Sequence, residues 1–283
     1  MNKILTATSA STENRPAAKE KDARARGFDN SEHCMHLLEE AQSLVQQSLT
    51  DDRPGAPELS VVIPVFNERE TLPQVIAAVQ ALPITKEIIV VDDGSSDGTA
   101  EWLASQRGKS GLTIVLRRRN RGKGSALRMG FRHCRGEIIA IQDADLEYDP
   151  RDLMKVIRPI QDGLSDIAYG SRYLGNQVQD PSFLHRLGNR VLTGLSNVTT
   201  GLRLTDMETC YKAFRRDLIQ GLTLRQCRFG FEPEVTAKLA RSGQRFMEVP
   251  IEYQSRGYDE GKKIGWRDGV NAIYCMLRYS RWD

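Results

Sequence analysis

Two carboxylates one residue apart, Asp143 and Asp145, lie in Gln142-Asp143-Ala144-Asp145-Leu146-Glu147, where the apolar run Glu137-Ile138-Ile139-Ala140-Ile141-Gln142 gives out. In a strand, residues i and i+2 face the same side, so the pair can point into one site. Like charges that close repel unless a cation lies between them. Hard oxygen ligands of this kind suit Mg²⁺ or Mn²⁺. The competing reading is a loop whose aspartates cap the next helix, a position Asp favours. The neighbouring segments decide between the two.

Those neighbours repeat the pattern. Leu59-Ser60-Val61-Val62-Ile63-Pro64-Val65 is nearly all apolar, as expected of a strand covered on both faces, and Asn67-Glu68 follows it. Glu87-Ile88-Ile89-Val90-Val91 is a second such strand, ending in Asp92-Asp93-Gly94-Ser95-Ser96-Asp97-Gly98-Thr99, with Asp97 placed to N-cap the next helix. Leu112 to Leu116 and Ile138 to Ile141 read as two more strands, with helical stretches between them. Alternating strand and helix predicts an α/β, mostly parallel sheet flanked by helices. In such sheets ligands bind beyond the carboxyl ends of the strands. The clusters Asn67-Glu68, Asp92-Asp93 and Asp143/Asp145 all fall there.

Gly122-Lys123-Gly124-Ser125 does not complete a phosphate-binding GxxxxGK[ST] loop, because glycine follows the lysine. It remains a basic, glycine-rich entrance to a helix over Ser125 to Arg132, after Arg117-Arg118-Arg119-Asn120-Arg121. Backbone N–H groups at a helix start with cations beside them suit a phosphate, while a solvated charge run is the plainer reading of the arginines. Further on, Phe183 to Val198 forms an amphipathic helix with Arg186 and Arg190 one turn apart. Helices over Glu234 to Ser242 and Trp266 to Tyr279 flank a strand at Arg245 to Tyr253.

A net charge of +3 on 283 residues gives no reason to expect nucleic acid as a partner. Five scattered cysteines without a CxxC pair point to reduced thiols and a cytoplasmic protein. No apolar run approaches the ~20 residues that span a bilayer. Residues 1–57 are expected to form an extension, disordered to about residue 30 and then an amphipathic helix over 31–50, with the main domain at 58–283.

Taken together, Ile63-Pro64-Val65-Phe66-Asn67-Glu68, the Val-Val-Asp-Asp-Gly-Ser-Ser-Asp-Gly-Thr stretch at 90–99, Arg121-Gly122-Lys123-Gly124, Asp143-Ala144-Asp145-Leu146 and Gly170-Ser171-Arg172-Tyr173 resemble the family 2 glycosyltransferases of GT-A fold. More narrowly they resemble the polyprenyl-phosphate branch that contains dolichol-phosphate mannosyltransferase and bacterial glucosyl relatives. The resemblance runs over roughly 59–275. It implies a GT-A (Rossmann-like) sheet, a nucleotide-sugar donor (GDP-mannose first, UDP-glucose next), Mg²⁺ or Mn²⁺, and inverting transfer to a polyprenyl phosphate. It assigns Pro64, Phe66, Glu68 and Asp93 to the nucleoside, and Asp143 and Asp145 to the metal, with Glu147 the leading third ligand where relatives often carry Gln. Lys123 and the Tyr258–Ile264 loop lysines, Lys262 and Lys263, would meet the diphosphate. Arg172 would meet the acceptor phosphate, joined by Arg186 and Arg190.

A lipid phosphate is already anionic near neutral pH, so arginines would align it and no general base is needed. A hydroxyl acceptor would need a carboxylate base, for which Asp206 and Glu208 are the candidates; Asp206 could instead orient Arg172. The 183–198 helix offers a peripheral membrane contact. Two other readings stay open: a glycosyltransferase acting on sugars or other hydroxyls, and a catalytically silent nucleotide-sugar-binding or scaffold protein. A sugar nucleotidyltransferase would share the sheet, but Pro64-Val65-Phe66-Asn67-Glu68 is not the glycine-rich loop expected after its first strand.

Overall fold

The computed structural model describes residues 55–175, 183–254 and 266–281. The expected 31–50 helix and the loop carrying Lys262 and Lys263 lie outside them. In the unit beginning at Ala56 the strands are β1 (Leu59–Val65), β2 (Lys86–Asp92), β3 (Leu112–Leu116), β4 (Ile138–Ile141), β5 (Ile167–Ser171), β6 (Lys212–Arg215) and β7 (Phe246–Pro250). The helices are α1 (Leu72–Gln80), α2 (Thr99–Ser105), α3 (Lys123–Phe131), α4 (Leu153–Gln161), α5 (Phe183–Thr200), α6 (Arg216–Gly221), α7 (Phe231–Arg241) and α8 (Trp266–Arg281).

The strands form one sheet in the order β3-β2-β1-β4-β6-β5-β7. β1 is an interior strand, third from the β3 edge and parallel to β2 and β4, and all seven of its residues are buried. Burial on both faces is why this strand reads as a continuous apolar run. Pro64 sits beyond Val62, the last β1 residue paired with β4, so its missing N–H removes no bond from that side of the ladder.

One strand breaks the parallel pattern. β6 runs antiparallel to both β4 and β5. Its amino-terminal end therefore lies at the edge where the parallel strands finish, and it delivers the preceding loop, Thr205–Tyr211, to that edge. Sequence patterning missed β6 because it has only four residues, Lys-Ala-Phe-Arg, with a cation at each end.

Asp97 also behaves differently from expectation. The residue preceding α2 is Gly98, at φ +92°, and Asp97 reaches past it: its Oδ1 accepts from the amide (3.0 Å) and hydroxyl (2.6 Å) of Thr99. Its Oδ2 accepts the Arg69 amide at 3.0 Å, so the same carboxylate ties the β1 exit loop to the β2 exit loop.

Candidate active site

β1, β2 and β3 finish level with one another, Val65 pairing with Asp92 and Asp92 with Leu116, while β4 ends at Ile141 opposite Val62. The next residue, Asp93, is 3% exposed, and its carboxylate accepts the amides of Arg121 (3.1 and 3.0 Å) and Gly122 (2.6 Å). The Arg117 guanidinium stands 2.8 Å from its Oδ1. Burial pushes the Asp93 carboxyl above its ordinary range, against the pull of these donors. Asp93 thus shapes the loop leading to Lys123. The flanking glycines serve a second purpose. Gly122 has φ +91° and a Cβ there would collide with the carbonyl of Cys227, while one on Gly124 would come within 2.7 Å of the Gln226 carbonyl. They admit the backbone of the 226–228 segment, and the Ser125 amide donates to the Cys227 carbonyl at 3.0 Å. That amide is one of those expected to face a phosphate.

Lys123, first residue of α3, places Nζ 2.9 Å from Oδ1 and 3.1 Å from Oδ2 of Asp143. Glu232 at the start of α7 contributes an oxygen 3.6 Å away. Burial works against the ammonium's charge, yet Asp143 and then Cys210 and Glu232 hold its pKa well above the ordinary value. Lys123 is therefore a fixed positive charge. Asp143 and Asp145 are both half-buried. Asp145 Oδ1 accepts the Glu147 amide at 3.2 Å, and the Tyr253 hydroxyl donates to Glu147 Oε2 at 3.1 Å. The loop is anchored from the β1 side too. Thr71 Oγ1 lies 2.9 Å from both Glu68 Oε2 and the carbonyl of Ala144, its one proton shared between them. Pro64 is buried, Phe66 and Glu68 are half-buried, and Asn67 between the last two takes φ +56°.

Arg172 leaves the end of β5, and the loop before β6 brings Asp206 to it. Their contact is bidentate: Nε donates to Oδ2 at 2.7 Å and Nη2 to Oδ1 at 2.8 Å, while the Arg172 amide adds a third bond at 3.1 Å. Asp206 is fully buried and the Arg172 side chain 13% exposed. The guanidinium also lies 5.2 Å from the Tyr253 ring centroid and 5.6 Å from that of Tyr173. Burial opposes its charge, and Asp206 more than offsets this, keeping the pKa well above normal. The Asp206 loop is held in turn by Glu248 of β7, which accepts the amides of Thr205 and Asp206. Lys212 supports it from below, donating to the carbonyls of Met207 (2.9 Å) and Thr209. Burial lowers the Lys212 pKa.

Glu208 remains as a carboxyl not consumed by an arginine. Its Oε1 is sealed from solvent, and burial, with the charge of Glu232 next, pushes its pKa up to about 8. Arg186 is half-buried and Arg190 exposed on α5. Four contributors escaped sequence reasoning: Thr71, Glu232, Glu248 and Tyr253. Thr71 and Tyr253 are ordinary in pattern. Glu232 carried a signal, because Phe-Glu-Pro-Glu puts two acids in the first turn of a helix whose apolar residues bury it.

Among the described residues no three His, Cys, Asp or Glu side chains converge as a ready metal cage. Asp143 and Asp145 still fit a Mg²⁺-like ion, which is commonly held by one or two carboxylates with substrate phosphates completing its shell. The edge as a whole presents carboxylates for a hard cation, a fixed ammonium and a clamped guanidinium. That set can bind a diphosphate and a second anion together.

The profile of glycosyl transferase family 2 matches residues 60–223, more than half of the 283. An undecaprenyl-phosphate 4-deoxy-4-formamido-L-arabinose transferase of Edwardsiella ictaluri (strain 93-146) is 33% identical over 225 residues, covering 77% of this chain and 66% of the relative. The chain thus spans just under two thirds of that protein's length. Among solved structures, glucosyl-3-phosphoglycerate synthase from Mycobacterium tuberculosis in complex with Mg²⁺ and uridine diphosphate superposes with a TM-score of 0.62 at 22% identity, over 80% of each chain. Mannosyl-3-phosphoglycerate synthase from Rubrobacter xylanophilus gives a TM-score of 0.62 at 20% identity, over 80% of this chain and 73% of that one. At such identity the structures speak to the fold, which is GT-A. The profile match makes this chain a member of glycosyl transferase family 2.

Proposed function

We propose that this glycosyltransferase moves a hexose from a nucleotide sugar, GDP-mannose or UDP-glucose, onto a polyprenyl phosphate, with inversion and with Mg²⁺ or Mn²⁺. The observation that carries the acceptor half is the Arg172–Asp206 pair. Asp206, one of the two residues that could serve as a base for a hydroxyl acceptor, is fully buried and spent on Arg172. What faces the acceptor side is then an oriented guanidinium. That suits a nucleophile already anionic, which needs alignment and no proton removal. The relative named as an undecaprenyl-phosphate transferase supports the same acceptor class.

In this reading Pro64, Phe66 and Glu68 take the nucleoside, and Asp93 acts through the Arg121–Gly122 loop that it holds. Asp143 and Asp145 ligate the cation, with Glu147 as a third oxygen donor. A divalent ion there supplies Lewis-acid neutralisation of the departing diphosphate. Lys123, Lys262 and Lys263 add positive charge to that diphosphate, and Arg186 and Arg190 extend the acceptor side. α5 exposes Leu187 and Val191, and α8, which packs against it, exposes Val270, Ile273, Tyr274 and Leu277. Such faces support peripheral contact with the membrane holding the acceptor. No helix of the described residues is long and apolar enough to cross a membrane. A hydroxyl acceptor is the second reading, favoured by Glu208, whose pKa near 8 would let it accept a proton in mildly alkaline solution.

The test is Arg172→Gln, assayed for both glycolipid formation and donor hydrolysis. Loss of a bidentate charge-assisted contact should cost transfer about 10²-fold while hydrolysis changes little. Equal losses in the two assays would count against an acceptor role.

A further inference from the structure

Lys123 Nζ stands between two carboxylates, 2.9 Å from Asp143 Oδ1 and 3.6 Å from Glu232 Oε1. Glu232 is 4% exposed, and its other oxygen, Oε2, is sealed from solvent without a hydrogen-bond partner. A buried carboxylate oxygen left unpaired is costly, and such an atom in a folded protein calls for an explanation. The other buried cations nearby are engaged: Lys212 with the carbonyls of Met207 and Thr209, Arg172 with Asp206. Lys123 is already at the carboxylate's other oxygen.

We propose that Glu232 is a positioning residue for Lys123, the second seat to which its ammonium shifts when a divalent cation takes Asp143. The inference rests on the assignment of Asp143 as a metal ligand. An ammonium and a divalent cation repel strongly when they share one partly buried carboxylate. With no other counter-ion, Lys123 would either be left as an unpaired buried charge or keep the cation out. A movement of roughly 1 Å converts its present approach to Glu232 into a charge-assisted hydrogen bond. The ammonium stays at the floor of the site, facing the donor diphosphate, and Asp143 is released to the ion.

The test measures Mn²⁺ affinity by electron paramagnetic resonance, without donor, on the full chain. Wild type is compared with Asp143→Asn, Glu232→Gln, Lys123→Met and the Lys123→Met/Glu232→Gln double variant, each first checked for folding by circular dichroism. Glu232→Gln should weaken Mn²⁺ binding about tenfold, the size of one charge-assisted hydrogen bond, because the ammonium then stays on Asp143. Lys123→Met should bind Mn²⁺ at least as tightly as wild type. In that background, adding Glu232→Gln should change the affinity by less than about twofold, since no ammonium remains to move. The same loss from Glu232→Gln in both backgrounds would reduce Glu232 to a through-space charge and overturn the proposal, as would no loss in either. If Lys123→Met does not fold, Lys123→Gln takes its place. Mn²⁺ binding to Asp143→Asn that equals wild type would instead overturn the metal assignment itself, and the hand-over with it.

Discussion

Asp206→Asn tests the reading of the Arg172–Asp206 pair most sharply. Asparagine keeps the shape but removes the charge, and its NH₂ group faces an arginine donor at one of the two contacts now 2.7 and 2.8 Å long. Arg172 is left as a largely buried cation without a counter-ion. Breaking such a pair from one side costs about 3–5 kcal/mol. The 13% of the Arg172 side chain that still meets water argues for the lower end. About 3 kcal/mol in a domain of this size corresponds to a Tm lower by roughly 6–12 °C. Differential scanning fluorimetry reads the stability. Kinetics should show transfer falling about 10²-fold through misplacement of Arg172, with donor hydrolysis retained. The double variant Arg172→Met/Asp206→Leu should recover part of the lost stability, because it removes the stranded charge along with its partner. A single variant melting within about 2 °C of wild type, or double-variant losses equal to the sum of the singles, would refute the argument.

Asp145→Ala should leave the protein folded, as the side chain is half-buried at the sheet edge, but abolish the stimulation of turnover by Mg²⁺ or Mn²⁺. Retained stimulation in a cation titration would contradict the metal assignment. Glu208→Gln should flatten the dependence of stability on pH. The raised pKa means that the folded protein keeps a proton which the unfolded chain loses above about pH 4.5, so stability present in acid declines as pH rises through about 8. Relative to wild type, the Gln variant should gain stability in urea melts between pH 5.5 and pH 8.5, and parallel profiles would show that Glu208 is not the titrating group.

The left half of the sheet was legible because its signals are local. β1, β2 and β4 are short apolar runs buried on both faces, and each ends in the polar cluster that the strand-end rule makes meaningful. The right half was less so. β6 carries a buried lysine, and nothing in four residues discloses that it runs against its neighbours. Yet that direction is what brings Asp206 to Arg172 across 34 positions of chain. Side-chain roles were hardest where a charge turned out to serve the backbone. Asp93 reads equally as a ligand contact or a loop clasp until its three donors are in view. The glycines around Lys123 read as part of a helix entrance suited to a phosphate, and they make room for the backbone of the 226–228 segment. Glu232 could not be paired with Lys123 from sequence, because a charge in the first turn of a helix is ordinarily explained by the helix dipole alone.

The most direct measurement is product formation. The purified chain is given GDP-mannose, UDP-glucose or UDP-GlcNAc with polyprenyl phosphate and Mg²⁺ or Mn²⁺, and the lipid phase is analysed by mass spectrometry, with the dephosphorylated prenol and free sugars as alternative acceptors. The account predicts a hexosyl phosphoprenol from at least one donor, dependent on the cation and absent with the prenol. Hexosylation of a free hydroxyl acceptor with none on polyprenyl phosphate, or donor binding without transfer to any acceptor, would contradict it.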